Sequence, residues 1–325
     1  MTREQARRYY PPPVSSTYTL TSPFHAPVLA RDVAHLLQNA RTVLDCTLGG
    51  GGHALALLEQ GAVVTGLDQD PEAVAEANRR LAAFRERGRF TAIRANFAHL
   101  DQVAELRGAR YDGVLADLGV SSHQVDDPAR GFTFRPGAPL DMRMSDEMPR
   151  TAAQILNESD PRELTRIFRE YADEPRASRL AREIAKRRAT RPFATSDDLV
   201  DAIRAVLGPR SGPAQFAPLF QAVRIAVNDE LAILERALPL LRDRLQPGGV
   251  LAVITYHSGE DRIVKHAFRE WSAPCICPPR QPVCTCRGRP LGESLTRKAI
   301  TPTADEVASN PRARSARLRA WRSAA

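Results

Sequence analysis

The chain has 325 residues, of which 43% are apolar and 26% charged, so it is long enough for one large domain or two smaller ones with buried cores. No apolar run could span a bilayer and no apolar secretory signal stands at the start, which disfavours membrane and secreted classes and leads us to expect a cytoplasmic protein. The net charge of +8 and pI of about 9.6 come almost entirely from arginines, which favours nucleic acid as a partner, although a genome rich in arginine codons would give the same count.

The first part of the chain is predicted to contain a leader followed by alternating strands and helices. Residues 1–23, which include three consecutive prolines, are predicted to form a disordered leader. Four apolar runs then predict strands: TVLDCTL, AVVTGLD, RFTAIRANF and YDGVLADLGV. Helices are predicted at HALALLEQ and DPEAVAEANRRLAAF, the second capped by Asp70 with Pro71 in its first turn. Strands separated by single helices indicate an α/β fold with a doubly wound, mostly parallel, Rossmann-like sheet.

The pattern changes after Ser122. Residues 123–150 are rich in proline and glycine, and residues 151–208 carry helical patterns only. Gly208–Pro218 contains many helix breakers and is predicted to be a linker. The helix LFQAVRIAVNDELAILERALPLLRDRL, the turn QPGG and the strand VLAVITYH then resume the α/β pattern. We therefore predict a discontinuous core, residues 24–122 and 219–325, with an inserted loop and all-helical domain at 123–218.

A glycine-rich segment, LDCTLGGGGHA, follows the first predicted strand and indicates that a ligand approaches the backbone closely. Gly49, Gly51 and Ala54 match the G-x-G-x-x-G/A pattern of nicotinamide dinucleotide-binding proteins, a weak signal alone. A nucleoside-triphosphate loop is excluded, because no Lys-Ser/Thr pair follows the glycines. Asp45, just before the loop, would repel a pyrophosphate, whereas the cationic groups of S-adenosylmethionine favour a carboxylate there. We therefore predict S-adenosylmethionine as the cofactor; the alternative is that Asp45 only caps the following helix.

Three further residues stand where predicted strands end. Asp68 ends the second strand, Phe97 follows the third and Asp117 ends the fourth. Ligands of open α/β sheets bind beyond the carboxyl ends of the strands, so we expect these residues and Asp45 to surround one crevice. Asp68 is expected to accept hydrogen bonds from ribose hydroxyls. Phe97 is placed to stack on adenine, although an ordinary core phenylalanine would fit the same position.

Taken together, the motifs resemble one family closely. They are HAPVL, DCTLGGGGH, GLDQDPEA, DGVLADLGVSSHQVDDPARGFTF, PLDMRM, FQAVRIAVNDEL, HSGEDRIVK and NPRARSARLR, spread over residues 25–322. The chain resembles the bacterial S-adenosylmethionine-dependent methyltransferases that modify N4 of a cytosine in the decoding centre of 16S ribosomal RNA, the RsmH or MraW family. It departs from the family's pattern at Leu48, where an aromatic residue is expected, and at Gly259, where a leucine is expected.

The resemblance implies a class I methyltransferase core with an inserted helical domain that helps to hold RNA. It also implies a set of cofactor contacts: Gly51, Gly52, His53, Asp68, Phe97, Asp117 and Gln124. Within this set Asp68 binds the ribose, Phe97 lies against the adenine, and Asp117 and Gln124 line the rest of the pocket. The expected partner is 16S ribosomal RNA in the small ribosomal subunit, and the oligomeric state, including a homodimer, stays open.

Asp117 is the predicted catalytic residue. The exocyclic amine of cytosine is a poor nucleophile, since its lone pair is delocalised into the ring. A carboxylate that accepts a hydrogen bond from the amine would orient it for in-line attack and stabilise the positive charge that develops on nitrogen. DNA amino-methyltransferases carry an Asp/Asn-Pro-Pro-aromatic loop after the fourth strand, and this chain has DLGVSS instead, which argues against that class. A non-catalytic RNA-binding protein with the same fold is a further alternative.

Aromatic and basic residues that would contact RNA are also predicted. They are Phe132, Phe134, Arg135, Arg143 and His257. Rings next to arginines suit an unstacked base flanked by phosphates. The alternatives are that both rings belong to the core and that His257 has a structural role, because Ser258 and Asp261 predict a capping box for the next helix.

The methyl transfer requires no metal, but four cysteines lie close together at positions 275, 277, 284 and 286. Four thiolates on a hairpin could hold a structural zinc ion tetrahedrally. Against this, the spacing is not Cys-x-x-Cys, and the two cysteines of a Cys-x-Cys pair would point to opposite faces of a strand. The sequence leaves both possibilities open.

Overall fold

The computed structural model describes residues 27–120, 125, 127–145, 148–278, 281 and 283–325. The predicted leader and the predicted cofactor contact Gln124 lie outside these residues. The chain divides into two compact units, one formed by the segments before Val120 and after Arg236, the other by residues 120–236. None of the helices within the described ranges is long and apolar enough to cross a membrane.

The first unit is built on one seven-stranded sheet. Its strands are β1 Thr42–Asp45, β2 Val63–Asp68, β3 Phe90–Arg94, β4 Tyr111–Asp117, β5 Leu245–Thr255, β6 Gly292–Ser294 and β7 Arg317–Ser323. Their order is β3-β2-β1-β4-β5-β7-β6, with β1 to β5 parallel, β7 antiparallel to β5 and β6 antiparallel to β7. The predicted doubly wound, mostly parallel sheet is confirmed.

α-Helices separate β1 from β2 and β2 from β3, and a run of helices lies between β4 and β5. In chain order they are α1 Ala30–Leu36, α2 Gly52–Glu59, α3 Pro71–Arg80, α4 Ala82–Glu86, α5 Ala152–Glu158, α6 Pro161–Ala172, α7 Ala177–Arg188, α8 Ser196–Leu207, α9 Pro213–Asn228, α10 Glu230–Asp243, α11 Ser258–Ser272 and α12 Ala304–Ser309. Asp70 caps α3 as predicted, accepting a hydrogen bond from the Glu72 N–H at 3.0 Å. The helix predicted to continue to residue 84 breaks at Leu81, which leaves the helical region with φ −102° and ψ 18°.

The central strands position the site because they are buried on both faces. Val43, Val64, Leu115 and Ile254 are almost completely shielded from water and pack with Leu58 of α2. A near-continuous apolar sequence is what a doubly covered parallel strand requires. Burial of each such side chain contributes about 1.5–3 kcal/mol, so the strand ends that carry the site are held by the core.

The second unit is helical, and it includes a helix that the sequence did not predict at its full length. The breaker-rich segment Gly208–Pro218 was predicted to be a linker, but α9 begins inside it at Pro213, a proline in the first helical position. Phe216, Leu219 and Phe220 are buried in the core of this unit. Their burial outweighs the hydrogen bond that Pro218 cannot donate within the helix.

The boundary between the units also differs from the predicted one. The long helix predicted from residue 219 is interrupted at Asp229, which adopts a left-handed conformation with φ 50° between α9 and α10. The apolar face of α9 shares one core with α6 and α8. For this reason α9 belongs to the helical unit, and the division falls after Arg236 rather than after residue 218.

The predicted turn QPGG lies inside β5, which begins at Leu245. The pairing of β4 with β5 shifts register between Tyr111 and Gly113, as in a β-bulge. Gly248 has φ 75°, and a Cβ at Gly249 would lie 3.0 Å from the Tyr111 carbonyl oxygen. The two glycines therefore permit a bulge where the pattern suggested a turn.

Candidate active site

Acidic side chains from separate strands meet at the carboxyl edge of the sheet. Asp45 at the end of β1 is in register with Leu115 of β4, and Asp117 two residues later is in register with Ile254 of β5. Asp68 ends the neighbouring strand β2. The sequence prediction that these three carboxylates share one edge is therefore in agreement with the strand register.

The glycine-rich loop between β1 and α2 is held to its neighbours by backbone and side-chain hydrogen bonds. The Gly49 N–H donates to Asp68 Oδ2 at 2.8 Å, and Arg80 Nη1 donates to the Gly50 carbonyl at 2.9 Å. Gly51 caps α2 in the left-handed region with φ 73°. A Cβ at Gly52 would lie 2.9 Å from the Pro27 ring, so this glycine allows the loop to pack against the core.

Leu48, one of the two departures from the family's pattern, fills space above β2. A Cβ at Gly66 would lie 2.6 Å from Leu48 Cδ1. Leu48 is buried, and its N–H donates to the Leu67 carbonyl at 2.8 Å. The leucine therefore closes the base of the loop by packing directly on the strand.

Asp68 organises the loop and retains capacity for a ligand. Its Oδ2 accepts from Gly49 N–H, and its Oδ1 accepts from Asp70 N–H at 2.9 Å. Burial raises the pKa of Asp68 to about 6, and these two backbone hydrogen bonds oppose the shift. Each carboxylate oxygen has a second lone pair, which fits the predicted acceptance of ribose hydroxyls.

Asp45 is a buried carboxylate whose surroundings compensate its charge only in part. It is 1% accessible to solvent, and its Oδ1 accepts from Thr47 N–H at 3.2 Å. Within the described part of the chain its Oδ2 has no hydrogen-bond partner. Burial raises the pKa of Asp45 to about 6, although the nearby His53 opposes the shift. A buried carboxylate with a free oxygen is suited to a cationic ligand.

Asp117 stands at the centre of a polar network. Its Oδ1 accepts a hydrogen bond from the Tyr256 hydroxyl at 2.9 Å, and its N–H donates to Thr47 Oγ1 at 2.6 Å. His53 Nε2 lies 3.3 Å from Asp117 Oδ2, an ion-pair distance without the alignment of a good hydrogen bond. Burial, together with the charge of Asp117, raises the pKa of Tyr256 well above 10, so the phenol stays a donor.

His53 is drawn toward its protonated form by this network. Burial opposes protonation and is the largest single influence on it. The polar contact with Asp117 and the charges of Asp117 and Asp45 outweigh burial and raise the pKa of His53 above its ordinary value. The sequence placed His53 in the site only through the family resemblance.

Tyr256 was missed by the sequence analysis. It directly follows β5, at the same edge as the three aspartates, and the strand-end rule that selected them applies to it equally. Phe97 lies half-buried after β3, where Asn96 caps a short 3-10 turn by accepting from Ala98 N–H at 2.9 Å. The predicted role of Phe97 against adenine stays a prediction.

His257, predicted to contact RNA, occupies a structural position. It is the N-cap of α11, where its Nδ1 accepts from the Glu260 N–H at 3.4 Å. Glu260 Oε2 accepts in return from the N–H groups of Tyr256 and His257. The capping box thus starts one residue before the predicted Ser258, and Asp261 instead forms a two-point ion pair with Arg319.

Three of the predicted RNA contacts of the helical unit are partly buried, and one is exposed. Phe134 packs edge-on against Phe216 and Phe220, with centroid distances of 6.0 and 5.9 Å, and Phe132 also packs against this core. Arg143 makes a two-point ion pair with Asp141. Arg135 is exposed. The packing favours the core alternative for Phe134 and leaves Arg135 accessible to a phosphate.

The fold and this site define a class I methyltransferase. The sheet is mostly parallel, and its last strand in sequence, β7, lies between β5 and β6 and runs antiparallel to β5. A glycine loop follows β1, and carboxylates lie at the carboxyl edge of the sheet. The chain belongs to the MraW methylase family, whose sequence model matches residues 22–324. Membership of a methylase family agrees with the predicted cofactor, S-adenosylmethionine.

Relatives match nearly the whole chain. A protein of Gemmatimonas aurantiaca named ribosomal RNA small subunit methyltransferase H is 64% identical over 304 residues, 94% of this chain and 96% of the relative. Proteins of the same name from Heliobacterium modesticaldum and Symbiobacterium thermophilum are each 48% identical, over 91% of this chain and 97% and 95% of their own lengths.

Asp45→Asn is expected to stabilise the ligand-free protein at pH 7.5. The folded-state pKa of Asp45 lies above its ordinary value of 3.8, so its contribution to stability is present below pH 4 and is lost as pH rises to about 6. Asparagine avoids that loss and keeps the bond to Thr47, at the cost of an unpartnered Nδ2. We expect a net gain of about 1–2 kcal/mol by urea unfolding. An equal gain in the exposed control Asp101→Asn, or no gain, would contradict this account.

Proposed function

We propose that this protein is an enzyme that transfers a methyl group from S-adenosylmethionine to the N4 exocyclic amine of a cytosine in the decoding centre of 16S ribosomal RNA. It acts in the cytoplasm on the small ribosomal subunit. The observation that carries the proposal is the buried carboxylate of Asp45, whose Oδ2 has no partner among the described residues and whose pKa is raised to about 6. The names of the relatives support ribosomal RNA as the substrate.

The crevice residues bind the cofactor by charge and hydrogen bonding. S-adenosylmethionine supplies an electrophilic methyl group on a sulfonium, and it carries no phosphate. Asp45 provides the negative charge that balances its cationic groups, and Asp68 accepts the ribose hydroxyls. Gly51, Gly52 and His53 contact the cofactor along the loop. This division of roles uses the carboxylates whose burial is otherwise unfavourable.

The adenine and the remaining wall of the pocket involve two further residues. Phe97 lies against the adenine, since it follows β3 at the same edge of the sheet. Gln124, outside the described residues, completes the pocket in this proposal.

Asp117 acts on the substrate amine. Its carboxylate accepts a hydrogen bond from N4, orients the amine for in-line attack, and stabilises the positive charge that develops there. The Tyr256 hydroxyl donates to Oδ1 at 2.9 Å and fixes the orientation of the carboxylate. Tyr256 is therefore a positioning residue for Asp117.

The helical unit supplies a basic surface for RNA. Arg179, Arg182 and Lys186 are exposed on α7 at spacings of three and four residues, which places them on one face of the helix. Arg135 is exposed in the segment that precedes the helices. We propose that these residues bind phosphates of the ribosomal RNA, a role that makes affinity fall as salt is raised.

Calorimetry tests the cofactor assignment. S-adenosylmethionine and its demethylated product are expected to bind, and NAD is not. The affinity for S-adenosylmethionine should rise between pH 5 and pH 7. Deprotonation of Asp45, with a pKa of about 6, creates the charge that balances the cationic groups, and deprotonation of Asp68, also with a pKa of about 6, makes it a stronger acceptor for the ribose hydroxyls. The demethylated product lacks the sulfonium charge and should show a smaller rise. Binding of NAD, or an affinity that falls over this range, would refute the proposal.

A further inference from the structure

Four cysteine sulfurs converge in the segment between α11 and β6. The Sγ atoms of Cys275, Cys277, Cys284 and Cys286 all lie within 4.8 Å of one another. Cys284 Sγ is 3.8 Å from that of Cys275, 3.9 Å from that of Cys277 and 3.5 Å from that of Cys286. The Sγ atoms of Cys275 and Cys286 are 3.8 Å apart. This arrangement is a compact cluster of thiols at the surface of the first unit.

The spacing matches a tetrahedral metal site and not a pair of disulfides. Zinc–sulfur bonds of about 2.3 Å give a tetrahedron whose edges are about 3.8 Å. A disulfide requires a sulfur–sulfur distance of about 2.05 Å, and all four cysteines are free. The four measured separations of 3.5–3.9 Å therefore correspond to thiolates around one central ion.

The conformation of the segment removes the objection raised by the Cys-x-Cys spacing. Cysteines two residues apart point to opposite faces only in a β-strand. The described residues between Ala273 and Leu291 contain no strand, so both members of each pair can turn toward the same centre. The Ile276 N–H donates to Cys286 Sγ at 3.4 Å, and the Gly288 N–H also bonds to this sulfur. Backbone donors of this kind stabilise thiolate charge.

The described residues of the segment form no hydrophobic core that could hold it folded. Its apolar residues Ile276 and Val283 are 45% and 70% exposed. Arg287, which follows the last cysteine, anchors the segment to the rest of the unit. Its guanidinium donates to the carbonyls of Glu270 and Ala273, which precede the first cysteine. A short segment whose described apolar residues are exposed needs a cross-link or a metal to adopt one structure.

We infer that Cys275, Cys277, Cys284 and Cys286 bind a structural zinc ion that folds the segment between α11 and β6. Four protein thiolates fill a tetrahedral zinc ion, so no position remains for water or substrate. The site is also remote from the crevice. The 15-residue helix α11 starts at the carboxyl edge of the sheet and ends near the cysteines, about 22 Å away at 1.5 Å per residue.

Metal analysis of the full chain tests the inference. Protein purified without chelators or a metal-affinity tag is expected to contain one zinc ion per chain, measured by inductively coupled plasma mass spectrometry. The double variant Cys275→Ser/Cys284→Ser should lose the ion, and Cys46→Ser, the same change at the fifth cysteine, should keep it. Absence of zinc, iron in its place, or equal loss in Cys46→Ser would each overturn the assignment.

Cobalt substitution gives a second test that does not depend on a variant folding. The unaltered protein, loaded with Co²⁺, should show the sulfur-to-metal charge-transfer bands and strong visible bands of a tetrahedral tetrathiolate. A weak octahedral spectrum would overturn the inference. Trypsin should cleave after Arg287 faster once a chelator removes the metal, and an unchanged rate counts against a role in folding the segment. Binding of S-adenosylmethionine by the double variant should persist, which separates this inference from the proposed function.

Discussion

Asp117→Asn is expected to lower kcat by about 10³-fold at saturating S-adenosylmethionine, since general acid–base and charge-stabilising groups contribute about 10²–10⁴-fold each. The asparagine is nearly isosteric and its carbonyl oxygen can still accept the bond from Tyr256, which is 2.9 Å from Oδ1 in the parent protein. What it loses is the negative charge that stabilises the amine during transfer. Single-turnover rates with small-subunit RNA measure this step directly.

Tyr256→Phe provides the graded control for that experiment. It removes the hydroxyl that donates to Asp117 but leaves the carboxylate in place, so we expect a fall of about tenfold in kcat, the equivalent of one hydrogen bond. A near-normal rate in Asp117→Asn would mean that another group accepts the amine.

Asp68→Ala is expected to lower the affinity for S-adenosylmethionine by about 10²-fold or more in calorimetry. The variant removes two hydrogen bonds between the ribose and a charged group, each worth about 1.5–3 kcal/mol. The loop also loses the acceptor for Gly49 N–H and Asp70 N–H. Asp68→Asn separates the two effects, since its remaining oxygen can still accept one backbone N–H. We expect an intermediate loss for it, and unchanged affinity in both variants would remove Asp68 from the ribose.

The sequence predicted the sheet and its acidic edge because those features are local. Strands β1, β2 and β4 are short apolar runs between helical patterns, and their last residues, Asp45, Asp68 and Asp117, follow directly from the ends of those runs. Parallel pairing then brings the ends to one edge, whatever the details of packing.

The parts that were wrong or missed depend on tertiary contacts. Pro213 and Pro218 indicated a linker, but burial of Phe216 and Phe220 in the helical core extends α9 through it. For Phe134 the sequence left base stacking and core packing open, and only the fold shows the rings of Phe216 and Phe220 against it. No local pattern in the sequence reports which apolar residues a second segment will cover.

The electrostatic character of the site could be predicted from the sequence only in part. Asp45 was predicted to favour a cation, but the degree of burial that raises its pKa to about 6 appears only in the fold. The link between Tyr256 and Asp117 joins residues 139 positions apart. The strand-end rule would have selected Tyr256, but not the bond that it makes.

The central claim is that the methyl group reaches N4 of a decoding-centre cytosine, and product identification tests it most directly. The full chain is incubated with methyl-labelled S-adenosylmethionine and small ribosomal subunits from a strain that lacks this protein, and the RNA is digested for mass spectrometry. The account predicts label in N4-methylcytidine from one site of 16S ribosomal RNA, and almost none with Asp117→Asn. Label on another base, on C5 of cytosine or on DNA alone would contradict it, as would no label from protein that binds the cofactor.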